Sequence, residues 1–232
     1  MSENRYSLEA FVNKTKDRDL QQGLFELESE RMLDINLNGE VWIKMGAMIA
    51  YTGHVTFERE GILEQGIGNL LKKAVSGEGT RLTRAKGNGS VFCADSGKKI
   101  TILNLNNEAI CVNGNDLLAF EMSLKYEIRM MRKMSAMLAG GLFNIMLHGQ
   151  GMVAITSHYD PLTLPVTPNE PVTTDPNATV LWSANLQPEF KTNLQLKTFF
   201  GRGSGESIQM EFRGEGFVVV QPYEEVYFQN NS

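Results

Sequence analysis

The chain has 232 residues, of which 42% are hydrophobic and 21% are charged, and this balance excludes intrinsic disorder. Its formal net charge of −5 argues against a protein that neutralises the phosphates of nucleic acid. Two cysteines in a chain of this length exclude a disulfide framework.

The first segment, Met1 to Glu9, is polar and carries charges of both signs. A secretory signal would place an apolar stretch after a positively charged one. Nowhere does the sequence approach the roughly 18 consecutive apolar residues of a membrane-spanning helix. We therefore expect a cytoplasmic protein, and attachment to a membrane surface remains open.

Alternation of apolar and polar residues with a period of two dominates the chain. It runs through residues 25–30, 33–37 and 208–213, and it predicts half-buried antiparallel strands. Asn38-Gly39 and Asn113-Gly114 lie between such runs, and both dipeptides are typical of tight turns.

Two segments have apolar residues at helical spacing, Ile62 to Val75 and Leu124 to Leu138. We predict a short helix over each, and Gly140-Gly141 provides a stop for the second. The segment Pro161 to Pro176 is rich in proline, which favours a long irregular connection.

One pattern recurs three times along the chain at nearly even spacing: an alternating strand, a Gly-x-Gly sequence and an apolar strand. The glycines are Gly87, Gly89, Gly149, Gly151, Gly214 and Gly216. We interpret them as structural, because glycine within a strand marks a bend, a bulge or a close approach of backbone. The recurrence predicts a single domain over residues 1–232, built from three diverged β units.

The segment 39–51 has the sequence GEVWIKMGAMIAY. It resembles the signature G-x-V-W-x-K-x-G-S-M-x-A-Y of the altered inheritance of mitochondria twenty-four family, with Ala47 in the place of the serine. The three Gly-x-Gly blocks, the Asp-Leu-Leu-Ala sequence at 116–119 and the turn at 203–206 also match, so the resemblance covers nearly the whole chain.

The family is grouped by fold with the tryptophan RNA-binding attenuation protein. The resemblance therefore implies an all-β fold of shortened double-stranded β-helix or β-sandwich units, tripled with pseudo-threefold symmetry. One or two short helical insertions would complete it. A fungal member is associated with the mitochondrial inner membrane. The resemblance supplies no catalytic residues, and a fold alone does not imply an activity.

The chain shows no arrangement typical of a catalytic or metal site. His54, His148 and His158 lack the close pairing that a β-helix metal site needs. Cys93 and Cys111 have apolar neighbours, so we expect both thiols to be buried and inert. We therefore predict no catalytic residue, no metal and no cofactor, and hypothesise that the protein is not an enzyme.

The segments before the Gly-x-Gly blocks combine apolar and basic residues, and pseudo-threefold symmetry would bring them to one edge of the domain. This predicted contact face consists of Ile67, Leu70, Leu71, Lys72, Lys73, Met131, Arg132, Lys133, Met134, Leu138, Phe199 and Phe200. It would bind a partner protein, a second copy or an anionic membrane surface. Alternatively, the same residues cap the ends of the β core.

These observations favour a non-enzymatic scaffold or binding protein, peripheral to membranes or to membrane protein complexes. We expect a homo-oligomer, because sheets of this kind leave edges that need covering. One alternative is a β-helix protein that binds a small molecule or a metal and acts as an enzyme. The other is an RNA-binding module, although the charge makes nucleic acid an improbable partner.

Overall fold

The computed structural model describes residues 6–17, 23–59, 82–130, 143–192 and 208–224. Within them the protein has one short helix and fifteen strands. In chain order they are α1 (Leu8–Thr15), β1 (Phe25–Ser29), β2 (Met32–Lys44), β3 (Met48–Tyr51), β4 (His54–Arg59), β5 (Leu82–Cys93), β6 (Lys99–Asn113), β7 (Leu117–Glu121), β8 (Lys125–Met130), β9 (Phe143–Ser157), β10 (Leu162–Val166), β11 (Val172–Thr174), β12 (Thr179–Ser183), β13 (Glu189–Thr192), β14 (Ile208–Phe212) and β15 (Gly216–Val220).

The strands form two sheets, one of twelve strands and one of three. The order in the larger sheet is β10-β15-β12-β6-β9-β7-β2-β5-β3, with β1, β4 and β8 paired onto β2, β5 and β9. The smaller sheet has the order β11-β14-β13. All the paired strands are antiparallel, which confirms the predicted all-β fold.

Three hydrophobic clusters form the core, and each is centred on different strands. Phe25, Phe120 and Phe212 are the largest fully buried side chains, and each belongs to a different cluster. Burying a side chain of this size stabilises the fold by about 1.5–3 kcal/mol. Phe25 and Phe212 lie in alternating runs of the sequence, whereas Phe120 lies in β7, where residues 117–120 are all buried.

The same pairing pattern occurs three times. Strands β3 and β4 both pair with β5, β7 and β8 both pair with β9, and β12 and β13 pair with β15 and β14. A register shift at Ile49, Leu118 and Val180 interrupts the first pairing of each group. Pseudo-threefold symmetry of the units, and the single domain over 1–232, stay predictions.

The predicted helix from Leu124 to Leu138 is wrong over Lys125–Met130, which is strand β8. Tyr126 and Ile128 pair with Leu147 and Ile145 of β9, and this pairing outweighs a helical pattern that the short segment also satisfies. Residues 131–138, and the predicted helix Ile62 to Val75, lie outside the described residues.

The predicted turn at Asn38-Gly39 is also wrong. These residues lie within β2 and pair with Asn88 and Gly87 of β5, because the glycines of both strands let the long ladder continue. The predicted turn at Asn113-Gly114 is confirmed, since the backbone N–H of Asp116 donates to the carbonyl of Asn113 at 2.9 Å.

The segment Pro161 to Pro176 is more ordered than the predicted irregular connection. It contains β10 and β11, and Thr167 and Glu170 form a bridge between them. Pro165 is tolerated in β10 because this strand ends the order of its sheet, and proline within sheets is confined to such edge strands.

The helix α1 was not predicted from the sequence. Ser7 caps it, and its side chain accepts a hydrogen bond from the N–H of Ala10 at 3.1 Å. With eight residues α1 is far too short to cross a bilayer. No helix in the described part of the chain is long and apolar enough to do so.

Candidate functional site

Every residue of the predicted contact face, from Ile67 to Phe200, lies outside the described residues. Both interpretations of that face, a binding surface and a cap on the core, stay predictions. The six glycines of the repeat are described, and they lie where turns from neighbouring strands meet the sheet.

Gly87 and Gly89 lie in the middle of β5, opposite the turn from Thr52 to His54 that joins β3 to β4. A Cβ at Gly87 would be 1.9 Å from the carbonyl oxygen of His54, and a Cβ at Gly89 would be 2.0 Å from that of Thr52. Both glycines have positive φ, of +141° and +150°. A side chain at either position would therefore push the turn away from the sheet.

The other two glycine pairs meet corresponding turns. A Cβ at Gly151 would be 2.5 Å from Oγ of Ser123, between β7 and β8. A Cβ at Gly216 would be 2.8 Å from Oγ of Ser183, at the end of β12. The first glycine of each pair, Gly149 or Gly214, has more room. In all three places the glycines admit the turn that follows β3, β7 or β12.

Two of these three strands, β7 and β12, also pair with a long strand from earlier in the chain, and we call each such contact a joint. The first joint pairs β2 with β7, and the second pairs β6 with β12. The partners are Val41↔Glu121, Trp42↔Phe120 and Ile43↔Ala119 in the first joint, and Ile110↔Ser183, Cys111↔Trp182 and Val112↔Leu181 in the second.

The first joint is packed with aromatic rings. Trp42 stacks on Phe120 with ring centroids 6.4 Å apart. Tyr126 lies edge-on to both, at 5.8 Å from Trp42 and 5.4 Å from Phe120. Such arrangements add about 0.5–1.5 kcal/mol each to the stabilisation from burial. Trp42 of β2 thus completes an aromatic cluster with Phe120 of β7 and Tyr126 of β8.

Strand β3 is the counterpart of β7 and β12 but receives no strand among the described residues. The register shows the equivalence: Met48↔Cys93, Leu117↔Ile155 and Thr179↔Val220 each precede the one-residue shift. Tyr51 and Phe57 even form the same edge-on pair as Phe120 and Tyr126, at 5.3 Å. We call the unpaired side of Met48–Tyr51 the open edge.

Burial separates the open edge from its two counterparts. At the shifted position Ile49 is 53% exposed, whereas Leu118 and Val180 are fully buried. Tyr51 is 49% exposed, whereas its counterparts Phe120 and Trp182 are 0% and 3% exposed. The apolar side chains of β3 are therefore left exposed in the described part of the fold.

The open edge also lacks the protection common on edge strands. Exposed edges are usually blocked by charged residues or proline. Residues 46–53 contain neither. The other end of the larger sheet, β10, carries Pro165. An unprotected apolar edge of this kind is suited to pairing with a further strand.

The histidines and cysteines of the chain are not gathered into a reactive site. Burial raises the pKa of the Cys93 thiol to about 12, and burial also raises the pKa of the Cys111 thiol. Both thiols are therefore protonated at neutral pH and poor nucleophiles. The ring of His158 lies 3.8 Å from that of Tyr223, whereas His54 and His148 lie in strands β4 and β9.

One acidic cluster brings the carboxylates of Asp17, Glu28 and Asp34 within 4.8 Å of one another. In the part of the chain that the structure describes, it is the only group of this kind that could share a metal ion. It includes no histidine or cysteine, and carboxylates often cluster without an ion.

The comparisons with known proteins agree with this architecture. The family model for mitochondrial biogenesis AIM24 matches residues 25–223. The chain belongs to this family. An X-ray crystal structure of a Streptococcus pyogenes protein is similar to it, with a TM-score of 0.64 and 23% sequence identity, over 86% of this chain and 92% of that one. This likeness shows the fold. A search of curated proteins finds no match.

In this AIM24-family chain, two of the segments that carried the sequence resemblance lie at or beside the first joint. Residues 39–51 span the part of β2 that enters the first joint and the whole of β3. Residues 116–119 include most of β7, which receives β2. Part of the resemblance therefore falls on the strands that form the first joint.

Sequence analysis did not single out β3 as a surface. Its apolar residues resemble those of β7 and β12, and only the missing partner strand distinguishes it.

The sequence analysis also missed α1, whose apolar residues Leu8, Phe11 and Val12 are 77%, 61% and 51% exposed. The signal for that helix was present, as apolar residues three and four positions apart after the capping Ser7.

Proposed function

We propose that this protein is a non-enzymatic scaffold or binding protein that accepts a partner strand along the open edge of β3. The observation that carries the proposal is the exposure of Met48, Ile49 and Tyr51, compared with the burial of their counterparts in β7 and β12. Two of the three equivalent edges are filled within the chain, and the third is available for a partner.

The backbone of the open edge is oriented to bind a strand. The N–H of Thr52 donates to the carbonyl of Ser90 in β5 at 2.9 Å. Because successive N–H groups of a strand point to opposite sides, the N–H of Tyr51 faces away from β5. Main-chain hydrogen bonds would supply affinity, and the side chains of Ile49 and Tyr51 would supply specificity.

A synthetic peptide of residues 39–45 tests this proposal, because it contains the segment of β2 that fills the first joint. Its Trp42 ring would meet Tyr51 and Phe57 as it meets Phe120 and Tyr126. Fluorescence anisotropy of the labelled peptide should show saturable binding. Absence of binding to the folded protein would overturn the proposal.

A charge on the edge should block that binding. Ile49→Lys should weaken it by roughly tenfold or more, because pairing would bury the ammonium group. Leu162→Lys is the matched control, since Leu162 is 59% exposed and lies on β10 at the other end of the sheet. The control should bind like the wild type, and equal weakening by both variants would contradict a site at β3.

The helix α1 favours a second candidate function, attachment to the surface of a membrane. Leu8, Phe11 and Val12 form an apolar stripe with no buried residue, and Lys14 and Lys16 follow it. A short amphipathic helix with basic residues binds at the interface of anionic bilayers. This candidate keeps the protein peripheral to the membrane.

Liposome flotation tests this second candidate. The wild type should float with anionic vesicles at low salt and less so at high salt. Phe11→Glu should abolish flotation, whereas Asn13→Glu adds the same charge without removing an apolar residue of the stripe and should retain most of it. Failure of the wild type to float under any condition would contradict attachment to a membrane surface.

A further inference from the structure

We infer that the open edge of β3 binds strand β11 of a second copy of this chain, in the arrangement that each chain already makes twice at its internal joints. The inference rests on the proposed function and names the partner. It assigns β11 as the other half of the joint, which neither the fold nor the family comparison identifies.

Strand β11 corresponds to the segments of β2 and β6 that enter the joints. Val172 of β11 pairs with Phe212, two residues before Gly214. The counterparts in the first two units pair two residues before Gly87 and Gly149, as Val41↔Ala85 and Ile110↔Leu147. The register of the glycine strand thus identifies residues 172–174 as the third copy of the segments 41–43 and 110–112.

Strand β11 also has a free side. The segment of β2 lies between β5 and β7, and that of β6 lies between β9 and β12. Among the described strands, β11 pairs only with β14. Thr173 is exposed, whereas its counterparts Trp42 and Cys111 are buried. Within the described ranges, one chain therefore presents two strands of a joint that lack a partner, β3 and β11.

The register of the missing joint follows from the two that exist. The first joint pairs Trp42 with Phe120 and the second pairs Cys111 with Trp182, so Thr173 should lie opposite Tyr51. Its neighbours should pair as Val172↔Thr52 and Thr174↔Ala50. A threonine opposite a tyrosine is a favourable cross-strand pair of a β-branched and an aromatic residue.

A second copy is favoured over the chain's own β11. Within one chain β3 and β11 are not paired, and β3 remains exposed along its length. Because the two halves of the joint differ, the contact is head to tail, and each copy offers a new β3 or β11 to the next. This contact differs from an isologous dimer, in which β3 would pair with β3.

Cysteine cross-linking tests the partner and the register together. Tyr51→Cys and Thr173→Cys are purified separately, mixed and oxidised. Directly paired residues of an antiparallel joint lie at the Cα separation of roughly 4.4–6.8 Å that a disulfide requires. The mixture should give a disulfide-linked heterodimer. The native Cys93 and Cys111 are buried and should not contribute.

Three controls decide between partners. Thr163→Cys, an exposed threonine on β10, replaces Thr173→Cys and should give no heterodimer with Tyr51→Cys. If Tyr51→Cys alone forms a disulfide-linked homodimer as fast as the mixture forms the heterodimer, the head-to-tail contact would be overturned. The result would indicate an isologous dimer in which β3 pairs with β3. A disulfide within single chains of the double variant, with none between the mixed variants, would assign the edge to the chain's own β11.

Sedimentation velocity provides a measurement that leaves Tyr51 unchanged. The wild type should associate as its concentration rises, Leu162→Lys should behave in the same way, and Ile49→Lys should remain monomeric. A wild type that binds the 39–45 peptide yet stays monomeric, together with cysteine variants that form no heterodimer, would overturn the second copy and retain the proposed function. A wild type that neither binds the peptide nor associates would overturn the proposed function and the second copy together.

Discussion

The ammonium nitrogen of Lys98 lies 3.0 Å from Oδ1 of Asp116, and the two side chains are 5% and 0% exposed. Lys98 follows β5 and Asp116 precedes β7, so this buried ion pair connects two separate stretches of the chain beside the first joint. A second pair, Lys44 with Asp95 at 2.9 Å, lies close by, and Nζ of Lys44 also donates to the carbonyl of Asn115 at 2.7 Å.

Removing one charge of the buried pair should destabilise the fold strongly. Asp116→Asn removes the nearer carboxylate from the buried ammonium group of Lys98 and leaves Asp95 at 4.0 Å, and this should lower the free energy of unfolding by about 3 kcal/mol. Urea denaturation followed by circular dichroism measures the loss. Asp160→Asn is the control, because Asp160 pairs with Lys99 at the surface and should cost under about 1 kcal/mol. Equal losses would contradict a special role for the buried pair.

A methyl group at Gly87 should be far more costly than one at a glycine with open space. Gly87→Ala places its Cβ 1.9 Å from the carbonyl oxygen of His54, so the turn between β3 and β4 must move. Gly97→Ala meets nothing within 4 Å and should cost only the roughly 1–2 kcal/mol of its positive φ. Thermal unfolding of both variants measures the difference, and similar melting temperatures would argue against the close approach.

The raised pKa of Cys93 predicts a loss of stability at alkaline pH. The unfolded chain ionises this thiol near pH 9, whereas the folded protein holds it protonated until pH is about 12. The stabilisation is therefore complete below pH 9 and declines between pH 9 and 12, by at most about 1.4 kcal/mol per pH unit. Cys93→Ala should show a shallower decline across this window in urea titrations. Identical slopes would contradict the raised pKa.

The same burial predicts that the thiols react slowly in the native state. At pH 8 a thiol-specific chromophoric reagent should label the folded protein slowly and should label two thiols per chain in denaturant. Rapid native labelling of Cys93 would indicate that β5 opens readily.

The alternating patterns of the sequence predicted strands at 25–30, 33–37 and 208–213, and β1, β2 and β14 lie there, because a half-buried strand turns every second side chain toward the same face. The turn after Asn113 was likewise encoded locally. The segment Lys125–Met130 was predicted wrongly because its apolar residues satisfy two periods, and only pairing with β9 decides between them.

The open edge was beyond prediction for a different reason. Met48, Ile49 and Tyr51 have the apolar character of Leu117, Leu118 and Phe120, so composition indicates burial for both strands. Their different exposure depends on whether a strand from another unit arrives beside them. That relationship between distant parts of the chain is visible only once the pairings are known.

Hydrogen exchange of individual backbone amides tests the open edge most directly. In dilute solution the amide of Tyr51 should exchange rapidly, while those of Phe120 and Trp182, at the same position in the filled joints, should exchange slowly. Adding the 39–45 peptide, or raising the protein concentration, should slow exchange at Tyr51 and leave the other two unchanged. Slow exchange at Tyr51 in dilute monomeric protein would contradict the account, because the edge would then already be covered within the chain.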